Sequence, residues 1–212
     1  MVIKIVYDNT VYQKGLKSDW GFAAVIEAFD KNILFDSGAD GKILLDNMRQ
    51  MNIDPKSIDT IFLSHHHFDH TGGLASFLGV NSDVKVYAPN SLRGVKNAAK
   101  VVRVKDSIQI GKHLFSTGEL AGIEQSLIIK TENGLIIIVG CSHSGIENIL
   151  AAASQFGCPF ALIGGFHGFN NFPVLANLQL ICPTHCTKHI EELRNIYPSK
   201  FTEGGAGRII EI

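Results

Sequence analysis

The chain has 212 residues, 45% of them hydrophobic, and a formal net charge of −1 at pH 7. That length and apolar content suit one domain, residues 1–212, with a sizeable core, and they exclude a disordered chain. A balanced charge without any Lys/Arg-rich run offers nucleic acid no electrostatic footprint, so the expected partner is a small-molecule substrate and no nucleic acid.

Met1–Tyr7 reads as a first strand and lacks the organisation of a secretory leader. No apolar run approaches the roughly 20 residues that cross a bilayer, so no membrane is expected. The four cysteines, 141, 158, 182 and 186, all fall in the C-terminal half. Reduced thiols and a cytoplasmic location are the expectation. Asp8-Asn9-Thr10 opens a polar loop that ends near Trp20-Gly21. Phe22–Phe29 and Ile33–Phe35 then form a hairpin turning at Asp30-Lys31-Asn32. The second strand runs into Asp36-Ser37-Gly38. Residues Ala39–Met51 place Ile43, Leu44, Leu45 and Met48 on one helical face, and Asn52-Ile53-Asp54-Pro55 ends that helix.

The next strand, within Ile58–Leu63, delivers Ser64-His65-His66-His67-Phe68-Asp69-His70-Thr71-Gly72-Gly73. Residues two apart in extended backbone point the same way, so His65 and His67 converge on one metal ion while His66 points elsewhere. Asp69 and His70 suit a second, adjacent ion. A surface cluster of histidines is a poor account of a tract set between a buried strand and a Gly-Gly turn. Thr71-Gly72-Gly73 lets the backbone turn tightly into a short helix through Leu74–Leu78.

Downstream, Val84–Tyr87 is a strand, Leu92–Ala99 has helical character, and Val101–Val104, Ser107–Ile110 and His113–Ser116 form a meander. Glu124–Lys130 and Gly134–Val139 pair as a hairpin whose second strand is almost wholly apolar, hence central and buried. It delivers Gly140-Cys141-Ser142-His143-Ser144-Gly145 directly before a helix, Ile146–Gln155. Strands Pro159–Ile163 and Leu178–Ile181 run into Gly164-Gly165-Phe166-His167 and Cys182-Pro183-Thr184-His185-Cys186. A helix over Lys188–Ile196 and a strand over Arg208–Ile212 close the chain. His113 and His189, inside an expected strand and helix, read as surface or core residues.

The decad at Ser64–Gly73 resembles the His-x-His-x-Asp-His signature of the metallo-β-lactamase superfamily, which uses one or two metal ions in a four-layer αββα sandwich. Leu-Phe-Asp-Ser-Gly at 34–38 is similar to that superfamily's Asp-x-Gly motif; there Asp36 would support the metal loop, the alternative being an ordinary helix cap. The superfamily completes its site with a third histidine, a bridging aspartate and a distal histidine at successive strand ends. The last aspartate here is Asp106, so Cys141 stands where the bridging aspartate is expected, either as a thiolate ligand or as packing. By the same resemblance His143 is the third histidine and His185 the distal one. The Gly164-Gly165 approach, which removes side chains as the chain nears the site, points His167 to contact with substrate or with a ligand rather than with the metal itself. Val-Gly-Cys-Ser-His-Ser-Gly-Ile, Gly-Gly-Phe-His, Pro-Thr-His-Cys-Thr and the early Tyr-Asp-Asn, with Asn9, resemble the branch holding the dihydropterin-ribofuranosylaminobenzene-phosphate synthase-like proteins.

Neutral imidazoles with one or two anionic ligands leave metal positions for water, whose pKa falls toward about 7. A hydrolase of small esters, lactones, thioesters or phosphoesters follows, with Asp69 orienting the attacking hydroxide and carrying its proton. Two zinc ions are the expected cofactors, with manganese or iron as alternatives. The competing readings are a pterin-related synthase and a nuclease-type phosphodiesterase.

Overall fold

The computed structural model describes residues 1–212. β1 (Val2–Tyr7), β2 (Ala23–Ala28) and β3 (Lys31–Phe35) lead to helix α1 (Gly41–Gln50); β4 (Thr60–Phe62) is followed by the one-turn α2 (Phe68–Thr71) and by α3 (Leu74–Val80). Five further strands are β5 (Lys85–Pro89), β6 (Lys100–Val104), β7 (Ile108–Gly111), β8 (Leu114–Ser116) and β9 (Leu127–Thr131). The chain then runs through β10 (Gly134–Val139), α4 (Ile146–Ala153), β11 (Pro159–Gly165), β12 (Leu180–Thr184), α5 (Ile190–Ile196) and β13 (Ile209–Glu211). One sheet has the order β13-β1-β2-β3-β4-β5-β6 and the other β12-β11-β10-β9-β8-β7.

Alternation along each strand assigns side chains to layers. In β3, Ile33 and Phe35 enter the core between the sheets while Leu34 faces α1 and α3; in β10, Ile136 and Ile138 enter the same core while Leu135, Ile137 and Val139 pack against α4. Both faces of β10 are therefore apolar because both are covered, as expected of a central strand. Helices on the outer face of each of two stacked sheets make the expected four-layer αββα sandwich. α1 begins where Asp40 accepts the N–H groups of Lys42 and Ile43, at 2.7 and 3.1 Å. No helix is long and apolar enough to cross a membrane.

Several local expectations are corrected. Residues 92–99 are irregular, with Gly94 at φ +84° and Asn97 at φ +64°. Leu92 and Val95 mimic a helical stripe because both pack onto the layer beneath, but two left-handed residues so close together rule out a helix. The first hairpin turns at Phe29-Asp30, with φ +51° and +62°, since Ala28 pairs with Lys31. Two left-handed central residues are what a two-residue turn between twisted strands requires. His113 lies in the β7–β8 turn at φ +59°, and His189 precedes α5 as its N-cap residue. Gly72 and Gly73 keep ordinary φ values of −63° and −76°. Their lack of a side chain serves close approach, since a Cβ would overlap Ala39 O or Ser37 O.

Candidate metal centre

Six strand ends supply the site. β3 and β4 are parallel neighbours, as are β10, β11 and β12; β1, two antiparallel steps from β3, runs the same way as β3. Asp8-Asn9 follow β1, Asp36 follows β3, Ser64–His67 follow β4, Cys141–His143 follow β10, His167 follows β11 and His185 follows β12. Loops past the carboxyl ends of such strands carry functional side chains on a rigid support.

The donor atoms of His65, His67 and His143 lie within 4.8 Å of one another, and so do those of Asp69, His70, Cys141 and His185. His65 Nε2 is 3.1 Å from His67 Nδ1. His70 Nε2 is 3.1 Å from Cys141 Sγ and 3.2 Å from His185 Nε2. Asp69 Oδ2 stands 3.2 Å from His185 Nε2 and 3.7 Å from His70 Nε2. Tetrahedral bonds of roughly 2.0–2.1 Å put neighbouring nitrogens about 3.3 Å apart, so these separations fit the edges of a coordination shell.

Hydrogen bonds on the far side of the rings leave those atoms free. Asp36 is fully buried and accepts from His70 Nδ1 at 2.7 Å, from Ser64 N at 2.7 Å and from Ser64 Oγ at 2.6 Å. Because Ser64 donates its hydroxyl hydrogen to Asp36, it accepts from His65 Nδ1, 2.8 Å away. His185 Nδ1 donates to Asn9 Oδ1 at 2.9 Å. His65, His70 and His185 thus each keep a lone pair on Nε2, the tautomer a metal ligand needs. Burial first, then neighbouring imidazoles, push His65 and His70 far below the usual histidine range; burial also lowers His143. Neutral rings are the metal-binding form. Nε2 of His143 is buried without any hydrogen-bond partner. An unmet buried polar atom costs about 1–3 kcal/mol, and an ion shared with His65 and His67 would satisfy it. The donor set therefore fits a pair of divalent ions.

Burial works to raise the Asp69 carboxyl, but the adjoining His185 and His70 rings outweigh it and hold the group below the usual range. The hydrogen bond with Cys186, with burial acting in the same direction, pushes the Cys141 thiol up. Asp36, Ser142, His167 and His185 have φ values of +54°, +56°, +49° and +51°; left-handed non-glycine residues gather at functional sites, where the surrounding structure holds them.

His167 belongs to neither group; its ring centroid is 5.1 Å from that of His143, and both line a cavity of about 410 Å³. His66 is exposed and outside both groups, and Cys186 directs its Sγ toward Cys141 O at 3.9 Å. Asn9 and Asp36 sit behind the donors. Sequence reasoning missed three residues. Ser64 carries the link from Asp36 to His65. Asp8, whose carboxyl burial raises to about 6, accepts from His185 N at 3.0 Å. Glu124 accepts from Ser144 N at 2.8 Å and Oγ at 2.7 Å, tying down the loop that bears His143. A polar residue directly after an apolar strand was the one signal for Asp8 and Ser64.

Two sheets, strand-end histidines and paired donor groups define a metallo-β-lactamase-type protein, and a family model described as the metallo-beta-lactamase superfamily matches residues 21–147. The chain belongs to that superfamily. It is 29% identical to 7,8-dihydropterin-6-methyl-4-(beta-D-ribofuranosyl)-aminobenzene-5'-phosphate synthase of Methanocaldococcus jannaschii, over 99% of this chain and 96% of that protein. A hydroxyacylglutathione hydrolase of Serratia proteamaculans is 33% identical over 42% of this chain and 34% of its own. Among solved structures, a metal-dependent hydrolase of the beta-lactamase superfamily superposes with a TM-score of 0.78 at 25% identity, covering 100% of this chain and 99% of that one.

Proposed function

We propose that the protein is a metal-dependent hydrolase of a small-molecule ester, lactone, thioester or phosphoester, with His65, His67 and His143 holding one divalent ion and Asp69, His70, Cys141 and His185 a second. The observation that carries this reading is the orphaned Nε2 of His143 beside two imidazoles with the spacing of a coordination shell. A mixed imidazole, carboxylate and thiolate set favours zinc over manganese or iron. Bound ions would supply Lewis acidity and acidify water toward a pKa of about 7.

The chain's own groups do the rest. Asp69, ionised and one-fifth exposed at 18%, accepts a hydrogen bond from the attacking water and takes up its proton for delivery to the leaving group. Asp36 and Asn9 hold three ring orientations, so no reorganisation is needed during reaction. His167, in the cavity beside His143, offers a hydrogen bond to substrate.

Elemental analysis with a panel of esters, lactones, thioesters and phosphodiesters tests the proposal. Close to two transition-metal ions per chain, one for each donor group, and turnover of one ester class are expected. Stoichiometry near zero after metal-replete expression overturns it. A pterin-related synthase is the second reading, favoured by full-length similarity to the methanogen enzyme; that alignment spans 283 positions against 212 residues here, so the synthase carries segments without counterpart in this chain. Assay with a pterin pyrophosphate and a phosphoribosyl-aniline decides between the two. A net charge of −1 disfavours a nuclease.

A further inference from the structure

His66, the member of the triplet that neither donor group uses, lines a cavity of about 430 Å³. Its ring centroid is 4.9 Å from that of His67, so the cavity adjoins the three-histidine group. Leu74 and Leu78, one turn apart on α3, and Leu92 give it an apolar lining, and each is more than nine-tenths buried. Arg93 and Lys96 complete the wall and are exposed. Neither cation takes part in an ion pair. Arg93 Nη1 reaches only the Leu92 carbonyl, at 3.4 Å, and Glu119 is already engaged by Ser91 N at 2.6 Å. The left-handed turns at Gly94 and Asn97 that replace the expected helix give this segment its course along the cavity, and Arg103 bonds the Leu92 carbonyl to anchor it.

An apolar lining, two unpaired cations at one wall and a lining histidine packed against the three-histidine group are three constraints on one ligand. The volume suits a small molecule. A guanidinium binds carboxylate or phosphate through two parallel hydrogen bonds, and an ammonium adds a point charge. With an overall charge of −1, these cations act locally and leave the protein without long-range attraction for polyanions.

We propose that this cavity recognises the far end of the substrate, an apolar or aromatic body terminated by an oxyanion, with Leu74, Leu78 and Leu92 against the body and Arg93 and Lys96 on the anion. It deepens the hydrolase reading, on which it rests for its biological sense, by naming the substrate class: an ester or lactone separated from a terminal carboxylate or phosphate by an apolar spacer.

The test is calorimetric binding of 4-phenylbutyrate, 4-phenylbutyl phosphate and the neutral 4-phenylbutanol to metal-loaded wild type, to R93A/K96A and to R93K/K96R, with metal content measured in each. Both anions should bind wild type, lose at least about tenfold in affinity in R93A/K96A at unchanged metal content, and recover in R93K/K96R; the alcohol should not respond. Comparing the two anions identifies carboxylate or phosphate as the preferred terminus. Anion affinity unchanged in R93A/K96A overturns the proposal, because the anion then sits on the metals. A parallel assay of acetate esters with and without a terminal carboxylate separates the two readings. Charge-dependent binding without any turnover leaves the cavity assigned and the hydrolase reading refuted. Turnover with KM unchanged in R93A/K96A does the reverse.

Discussion

The two donor groups are built from similar side chains and supported in different ways. In the Asp69–His70–Cys141–His185 group, His70 rests on Asp36, 34 residues away, and His185 on Asn9, 176 residues away, with its own N–H on Asp8. In the three-histidine group only His65 has such a partner, Ser64; His67 is exposed and the buried nitrogen of His143 has no partner. One group is preformed by contacts between distant parts of the chain. The other depends on local spacing and on an ion to complete it, so removal of metal should loosen His67 and His143 before His70 and His185.

His67→Ala gives the largest effect expected. It removes a donor from the less supported group, and the lost charge stabilisation of several kcal/mol corresponds to a fall in hydrolysis on the order of a thousandfold, with loss of the ion. His66→Ala should keep full metal stoichiometry. Equal metal loss in the two variants, measured by elemental analysis, would remove the distinction between inward and outward rings.

Asp36→Asn strikes both groups, since the amide can neither accept every hydrogen bond made by His70, Ser64 N and Ser64 Oγ nor keep the charge. Affinity at both ions should drop by about 10–100-fold. Asn9→Ala should lower affinity by a similar factor only for the group containing His185. Chelator competition that shows uniform weakening in both variants would mean that the groups behave as one unit.

The alternation of His65, His66 and His67 at the end of a buried strand was legible because each position follows from a period of two and a strand boundary. The same period of two put Cys141 and His143 into one pocket, but their division between the two groups followed from the superfamily resemblance and not from spacing. Asp8 and Ser64 were not. Their importance comes from contacts made 177 residues away and with a carboxylate 28 residues upstream, and no local pattern encodes such separations. The helix expected at Leu92–Ala99 failed where a tertiary constraint won, because apolar residues three apart can serve an irregular segment lying on a helix as well as a helix itself. Gly140 teaches the same lesson. A Cβ there would collide with the Ser64 hydroxyl, a contact between sheets that its neighbours in sequence do not announce.

Cys141→Ser probes the sulfur within the preformed group. A hydroxyl is a poor anionic ligand at neutral pH, so affinity for the second ion should fall by about tenfold or more while the three-histidine ion remains. With cobalt in place of the native metal, the near-ultraviolet charge-transfer band of a sulfur ligand should vanish in the variant. A wild-type cobalt protein without that band would reduce Cys141 to packing.

Tyr7 gives the smallest effect and a control on the comparison, because it supports the segments behind both groups and touches no donor. Its hydroxyl accepts the N–H of Asp40 at 3.2 Å, and its ring lies where a Cβ on Gly38 would be. Burial first, with the charge of Asp19 adding to it, pushes its pKa up to about 12 against the opposing bond from Asp40. The ordinary value is about 10, so the folded state favours the neutral phenol. That contribution is complete below pH 10 and is lost as pH rises from 10 to 12. Tyr7→Phe should cost about 0.5–1.5 kcal/mol near neutral pH through the lost hydrogen bond, with metal content unchanged at both groups. The gap between wild type and variant in denaturant melts should then narrow through the alkaline range. A gap that widens there would mean that the phenolate is the form the fold prefers, and Asp19 would have to lie farther from the ring than its 3.5 Å contact with the hydroxyl.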